Sequence, residues 1–154
     1  MSVHSAALYV HSYLRWLVLL TGVLLLTKTS AGWYVGRSWT PLDDRLHSAL
    51  VNVVGLQFLV GLALYAWFSP LTPAFFADPG PGMKVPTLRF FMLDHPVSML
   101  IGIGILHSWR SKTQRVTDGR ARFKQVTIST AIALLIIAAS IPWPGLAYGR
   151  VLFR

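Results

Sequence analysis

The chain has 154 residues, of which 54% are hydrophobic and 12% charged, with a net charge of +9. That charged share is about half of what soluble domains carry, and every acidic residue is Asp, which argues against an ordinary soluble bundle. Cysteine is absent, so disulfides, thiolate metal sites, iron–sulfur clusters and cysteine nucleophiles are excluded.

The length allows one domain, and the apolar residues fall in four blocks. The first centres on residues 16–27. Arg15 and Lys28 leave 12 uncharged residues between them, or about 18 Å of helix against a hydrocarbon core of about 30 Å. Both long side chains can snorkel outward, so one helix is expected over about residues 9–34, with His11 and Arg15 near one membrane face. No small-residue cleavage site closely follows Leu26, which favours a retained helix over a signal peptide. The second block, about 46–68, is a full span. The connection 69–89 holds Pro70, Pro73, Pro79, Pro81 and Pro86 and cannot be one helix; with Phe75 and Phe76 it is expected to fold over the outer face. The third span covers about 90–109, the loop 111–124 is polar and basic, and the fourth span covers about 126–143. The expected fold is all-α, an integral-membrane up-and-down bundle of four helices forming a single domain. No internal repeat, nucleotide-binding glycine loop, HExxH or GxSxG motif occurs.

Basic residues set the orientation. Nine of them flank the first and third connections (Lys28, Arg37, Arg45, Arg110, Lys112, Arg115, Arg120, Arg122, Lys124), and five lie on the other side (Arg15, Lys84, Arg89, Arg150, Arg154). Both termini are therefore expected on the outer side of the membrane. The basic excess follows from topology and does not imply nucleic acid.

Ionisable groups inside a membrane are costly and mark candidate functional sites. Here they are His11, Arg15, His47, Asp94, His95 and His107. By depth, His11 and His95 fall near the outer face, His47 and His107 near the inner face. Neutral imidazole is an axial ligand for haem iron, and two helices of a bundle can hold a haem between them. At 100° per residue, Arg15, Val18 and Gly22 lie within about 40° of His11. A glycine on that stripe leaves room for a flat macrocycle, and Arg15 can pair with a propionate. Ser98, Met99 and Gly102 share a face with His95. His107 lies 12 residues beyond His95, about 18 Å along the helix but about 120° around it. One face cannot serve two stacked haems unless Pro96 bends the helix. The outer pair therefore ranks first as iron ligands, and His47 with His107 second. In the competing reading each histidine is a hydrogen-bonded boundary residue. Asp94 caps a helix or pairs with Arg89 or Arg15, and the tryptophans form interfacial belts.

Several elements together carry a resemblance. They are His11-Ser12 with Leu14-Arg15-Trp16; Gln57 with Gly61-Leu62 and Leu64-Tyr65 before Ser69-Pro70; Arg89-Phe90-Phe91 with Asp94-His95-Pro96, Met99 and His107; and Ile141-Pro142-Trp143-Pro144 with Gly149-Arg150 and Leu152-Phe153-Arg154. Over nearly the whole chain this resembles a family of small four-helix bacterial membrane proteins, frequent in Bacteroidota and relatives and often labelled cytochrome B. The resemblance implies a b-type cytochrome, with His11, Arg15, His95 and His107 at family positions. Relatives usually carry Glu where this chain has Asp94, and often a His where it has Gly55. If that His is an axial ligand, this chain has lost one or uses His47 instead.

The leading expectation is a membrane electron carrier binding one haem b, or two, by bis-His ligation. Arg15 or Arg89 would neutralise propionates. The partner would be a quinone, a periplasmic cytochrome or a larger respiratory complex; the other expected contacts are membrane lipid and a second copy of the chain. The alternative is a cofactor-free accessory subunit of a respiratory or photosynthetic complex. A third reading is transient binding of quinone or haem by Arg15, Asp94 and His95.

Overall fold

Local signals set where each helix begins and ends in the computed structural model, which describes residues 2–153. Helix α1 (Val3–Val35) opens on Ser2, whose Oγ accepts the Ser5 amide at 3.1 Å, and closes on Gly36 at φ 73°. That left-handed conformation suits glycine. Helix α2 (Pro41–Ala63) starts with a capping box between Thr40 and Asp43 and a proline in its first turn. It continues through one wide π-helical turn, Leu64–Phe68, closed by the Ser69 amide on the Leu64 carbonyl at 2.8 Å. The proline-rich connection forms three short helices, α3 (Leu71–Ala77), α4 (Pro79–Gly82) and α5 (Pro86–Arg89).

A second wide turn, Phe90–Asp94, leads into α6 (His95–Thr113), with the His95 amide bonded to the Phe90 carbonyl. In a regular helix the Pro96 ring would press on the carbonyl of Met92; the wide turn lies where that clash would fall, so no sharp break is needed. The Met92 carbonyl instead accepts from Tyr65 Oη at 3.4 Å, which ties the two wide turns together. Helix α7 (Gly119–Ala139) is capped by Asp118, which accepts from the Ala121 amide at 2.6 Å, and it stops ahead of Pro142 and Pro144.

Several boundaries differ from those read in the sequence. Helix α1 begins six residues before the expected position 9, because Ser2 supplies a cap that outweighs the polar residues following it. The capping box starts α2 at Pro41 rather than at about 46. Helices α6 and α7 extend through most of the basic loop, and α7 ends at Ala139, short of 143.

Among the described residues four helices are long and apolar enough to cross a membrane: Val3–Val35, Pro41–Phe68, Pro86–Thr113 and Gly119–Ala139. The protein is thus a multi-pass membrane protein built as an all-α four-helix bundle. Helix α1 packs on α2 and α7, and α6 packs on α7 and α2, so α1 and α6 face each other across the diagonal. The core joins Val18 and Leu25 to Leu50, Val51, Val54, Leu106, Val126, Ala133 and Ile137. Between lipid-exposed helices, close approach and packing replace the hydrophobic drive. Two glycines of α1 permit that approach to α7: a Cβ on Gly22 would stand 2.5 Å from Leu134 Cδ2, and one on Gly32 would stand 2.6 Å from the Phe123 ring.

The end of the bundle with the 36–40 and 114–118 connections is held by ion pairs. Asp43, fully buried, accepts from Arg37 through two bonds of 2.8 and 2.7 Å and from Thr40, with Lys28 Nζ at 3.4 Å. This bidentate bond raises the Arg37 pKa further. Asp44 receives Arg110 at 2.8 and 3.0 Å and Arg122 at 2.7 Å.

Candidate functional site: a histidine pair across the bundle diagonal

At the opposite end, α1 and α6 meet through two imidazoles. The ring centroids of His11 and His95 are 6.3 Å apart, with an interplanar angle of 73°. His95 Nδ1 lies 2.8 Å from the carbonyl oxygen of Ser140. That oxygen can only accept, so Nδ1 carries the proton and Nε2 keeps a free lone pair. Ser140 is the residue on which α7 ends, so the helix stop presents the acceptor.

His11 is seated differently. Its backbone carbonyl accepts from Gln57 Nε2 at 3.0 Å. Its ring lies over Gly61, where a Cβ would stand 3.0 Å from His11 Cε1. His11 Nδ1, Gln57 Oε1 and Arg15 Nε are all buried without a hydrogen-bond partner. Phe90 and Phe91 flank His95 with centroids at 5.7 and 6.4 Å, and Tyr148 stacks on Phe90 at 3.8 Å.

The C-terminal segment straps this end. Arg15 donates to the carbonyl of Leu152, Trp16 stacks on Phe153 at 5.2 Å, and Arg150 lies 5.2 Å over the Phe91 ring. The segment is thus fastened to the two elements that carry His11 and His95.

The other sequence-derived candidates fall elsewhere. The space beside Gly22 is filled by Leu134, and that beside Gly102 by Ile137, whose Cγ1 would be 3.2 Å from an added Cβ. Those glycines serve packing against α7. Met99 packs against the apolar core. Arg89 pairs with Asp94 at 3.2 Å in an exposed position, and Asp94 makes no side-chain cap.

His47 and His107 are not brought together. His47 is fully buried, 6.5 Å from the Trp39 ring, with both ring nitrogens unpartnered. His107 is exposed on the outside of the bundle, and its Nε2 lies 3.9 Å from where a Cβ on Gly55 would stand. Gly55 is eight residues beyond His47 on α2, about 12 Å along the axis. The 120° offset between His95 and His107 has this result: with His95 turned inward, His107 faces out.

Sequence reasoning did not assign site roles to Gln57, Gly61, Phe90, Tyr148 or Ser140. Ser140 contributes only a main-chain carbonyl at a helix end, for which no side-chain signal exists. Asp43 was findable, because Thr40-x-x-Asp43 before an apolar run is a capping pattern.

Fold and site together define a multi-pass helical membrane protein with a half-buried pair of imidazoles. No protein-family profile, curated protein or solved structure matches the chain.

Proposed function

We propose that this protein is a b-type-cytochrome-like membrane electron carrier whose haem iron is ligated by His11 and His95. The observation that carries the reading is the spacing of the two rings. The two ring centroids stand 6.3 Å apart, so His11 and His95 would be the residues to hold a haem iron, which takes neutral imidazoles as ligands. The residues fit the group in a second respect. A Nδ1–H bonded to a main-chain carbonyl, as in His95, is the usual second-shell support of a metal-bound imidazole; it fixes the tautomer and raises ligand basicity. The unpartnered buried atoms of His11, Arg15 and Gln57 are what a polar group entering this end would satisfy.

When bound, haem b supplies a one-electron iron couple. The chain's own residues orient and insulate. Ser140 holds the His95 ring, Gln57 anchors the α1 backbone at His11, and Phe90, Phe91 and Tyr148 keep water away. Arg15 places a cation beside both imidazoles, suited to a propionate. Among the described residues no group of three or more His, Cys, Asp or Glu side chains is placed to hold a metal ion, and a haem held by two imidazoles would need none. Separation of His47 from His107 favours one haem over two.

A bundle of this size hands electrons on, to a quinone, a periplasmic cytochrome or a larger respiratory complex. The nine basic residues at the 36–40 and 114–118 end support an orientation with that end cytoplasmic; in a bacterial inner membrane, which the family resemblance implies, both termini would then be periplasmic.

A second reading, a cofactor-free accessory subunit of a respiratory or photosynthetic complex, draws on two observations. Leu134 and Ile137 fill the space beside the glycines, and Arg15 is already engaged by Leu152. Absorption spectra of the detergent-purified protein, oxidised and dithionite-reduced, with a pyridine haemochrome assay, separate the two. A reduced b-type spectrum lost in both His11→Ala and His95→Ala is expected. Full haem content in both variants overturns the ligand assignment, and a colourless protein made with ample haem supply favours the accessory subunit.

A further inference from the structure

The lipid-facing surface of the bundle is not uniform. On α1 it presents Leu17, Leu20, Val23 and Leu24, and on α7 Ile128, Ile132 and Leu135. Thr27, also exposed on α1, donates its hydroxyl to the Val23 carbonyl at 2.8 Å. These faces suit hydrocarbon as they stand.

The α2–α6 face is different. Asn52 lies near the middle of the Pro41–Phe68 span and is exposed. His107 on α6 is exposed as well, at the level of Gly55. Among the described residues neither side chain has a hydrogen-bond partner; Ser111 Oγ donates to the main-chain carbonyl of His107 and not to its ring. Gly55 stands one helical turn from Asn52 and Gly104 one turn from His107, so all four share the face. Nothing stands within 4 Å of a Cβ built on Gly104, and at Gly55 only His107 does, at 3.9 Å.

An amide and an imidazole facing hydrocarbon unpaired are costly. Lipid tails offer no partner, whereas another transmembrane helix does, and small residues let one come close. An Asn side chain carries donors and an acceptor, and an imidazole can donate from one ring nitrogen and accept at the other. The two groups are therefore complementary to each other, and because both sit on one face, a two-fold axis can pair each with the other across an isologous contact.

We propose that the α2–α6 face is the contact between two copies of this chain in the membrane. Asn52 of each copy bonds His107 of the partner subunit, and Gly55 and Gly104 allow the helices to approach. This contact does not depend on haem at the opposite end.

The test uses full-length protein carrying a single fluorophore, reconstituted into phosphatidylcholine vesicles over a range of lipid dilutions, with photobleaching steps counted. Paired copies are expected for the wild type. Asn52→Leu with His107→Leu should weaken association about tenfold or more, the scale of a few interhelical hydrogen bonds. Leucine suits a lipid-facing position, and an unchanged thermal melt of the double variant shows that the fold is kept. The chain has no cysteine, so single cysteines report proximity directly. Leu56→Cys, exposed beside Gly55, should give a disulfide-linked pair under mild oxidation, and Leu135→Cys on α7 should not. A monomeric wild type overturns the proposal, including the case in which the face holds a small ligand or another protein. So does pairing unchanged in the double variant, or equal cross-linking at 56 and 135.

Discussion

The Nδ1 of His95 donates to the main-chain carbonyl of Ser140, 2.8 Å away, so the residue that caps the end of α7 fixes the orientation of a side chain at the first residue of α6. The bond relies on α7 stopping where it does, which leaves the Ser140 carbonyl free of an intrahelical donor.

His95→Asn should therefore be milder than His95→Ala. The amide keeps a donor for Ser140, whereas alanine leaves a shielded carbonyl unsatisfied, at about 1–3 kcal/mol. On the proposed ligation both variants lose haem, and thermal unfolding in detergent should place the Asn variant above the Ala variant. Equal melting temperatures would show that the bond contributes nothing to the fold.

Asp43 is the buried anion for Arg37 and Lys28. Asp43→Asn removes the shared anion of two cations that are 33% and 32% exposed, so solvent screens what remains and the cost should be about 1–3 kcal/mol, the scale for losing buried hydrogen bonds. The double variant Asp43→Asn with Arg37→Gln should recover part of that loss. Denaturant titration in mixed micelles reads both, and a double variant no better than the single one would remove the pair as the cause.

Gly22→Ala places a methyl against Leu134, and Gly32→Ala places one against the Phe123 ring, with no space at either site. Each should cost about 1–3 kcal/mol by overpacking. Trimming Leu134 to Ala should relieve the Gly22→Ala defect and leave the Gly32→Ala defect untouched, because distant sites add independently. A thermal-shift double-mutant cycle checks this.

Arg15 and Trp16 hold the C-terminal strap at Leu152. In Arg15→Gln the strap loses its charged anchor and opens more often. Trypsin should cut after Arg150 several-fold faster than in the wild type, with the transmembrane core intact. Unchanged cleavage would mean that the Trp16–Phe153 and Phe90–Tyr148 stacks alone suffice.

Residue order alone marks the four spans, because three apolar runs approach the length of about 20 residues that a bilayer core requires, and Arg15 and Lys28, by snorkelling, complete the shorter first one. It also excluded one helix over the proline-rich connection, since five prolines cannot continue a helical hydrogen-bond ladder. It singled out His11 and His95 by depth, as depth follows from position along a rod of known rise. What it left open was rotation and neighbour choice. Only the tertiary structure puts α1 and α6 on the diagonal, turns Gly22 and Gly102 toward α7, and separates His47 from His107. Those outcomes depend on side chains from distant segments competing for the same space, as Leu134 does at Gly22. They depend also on main-chain groups, such as the Ser140 carbonyl, that carry no residue-specific mark in the sequence.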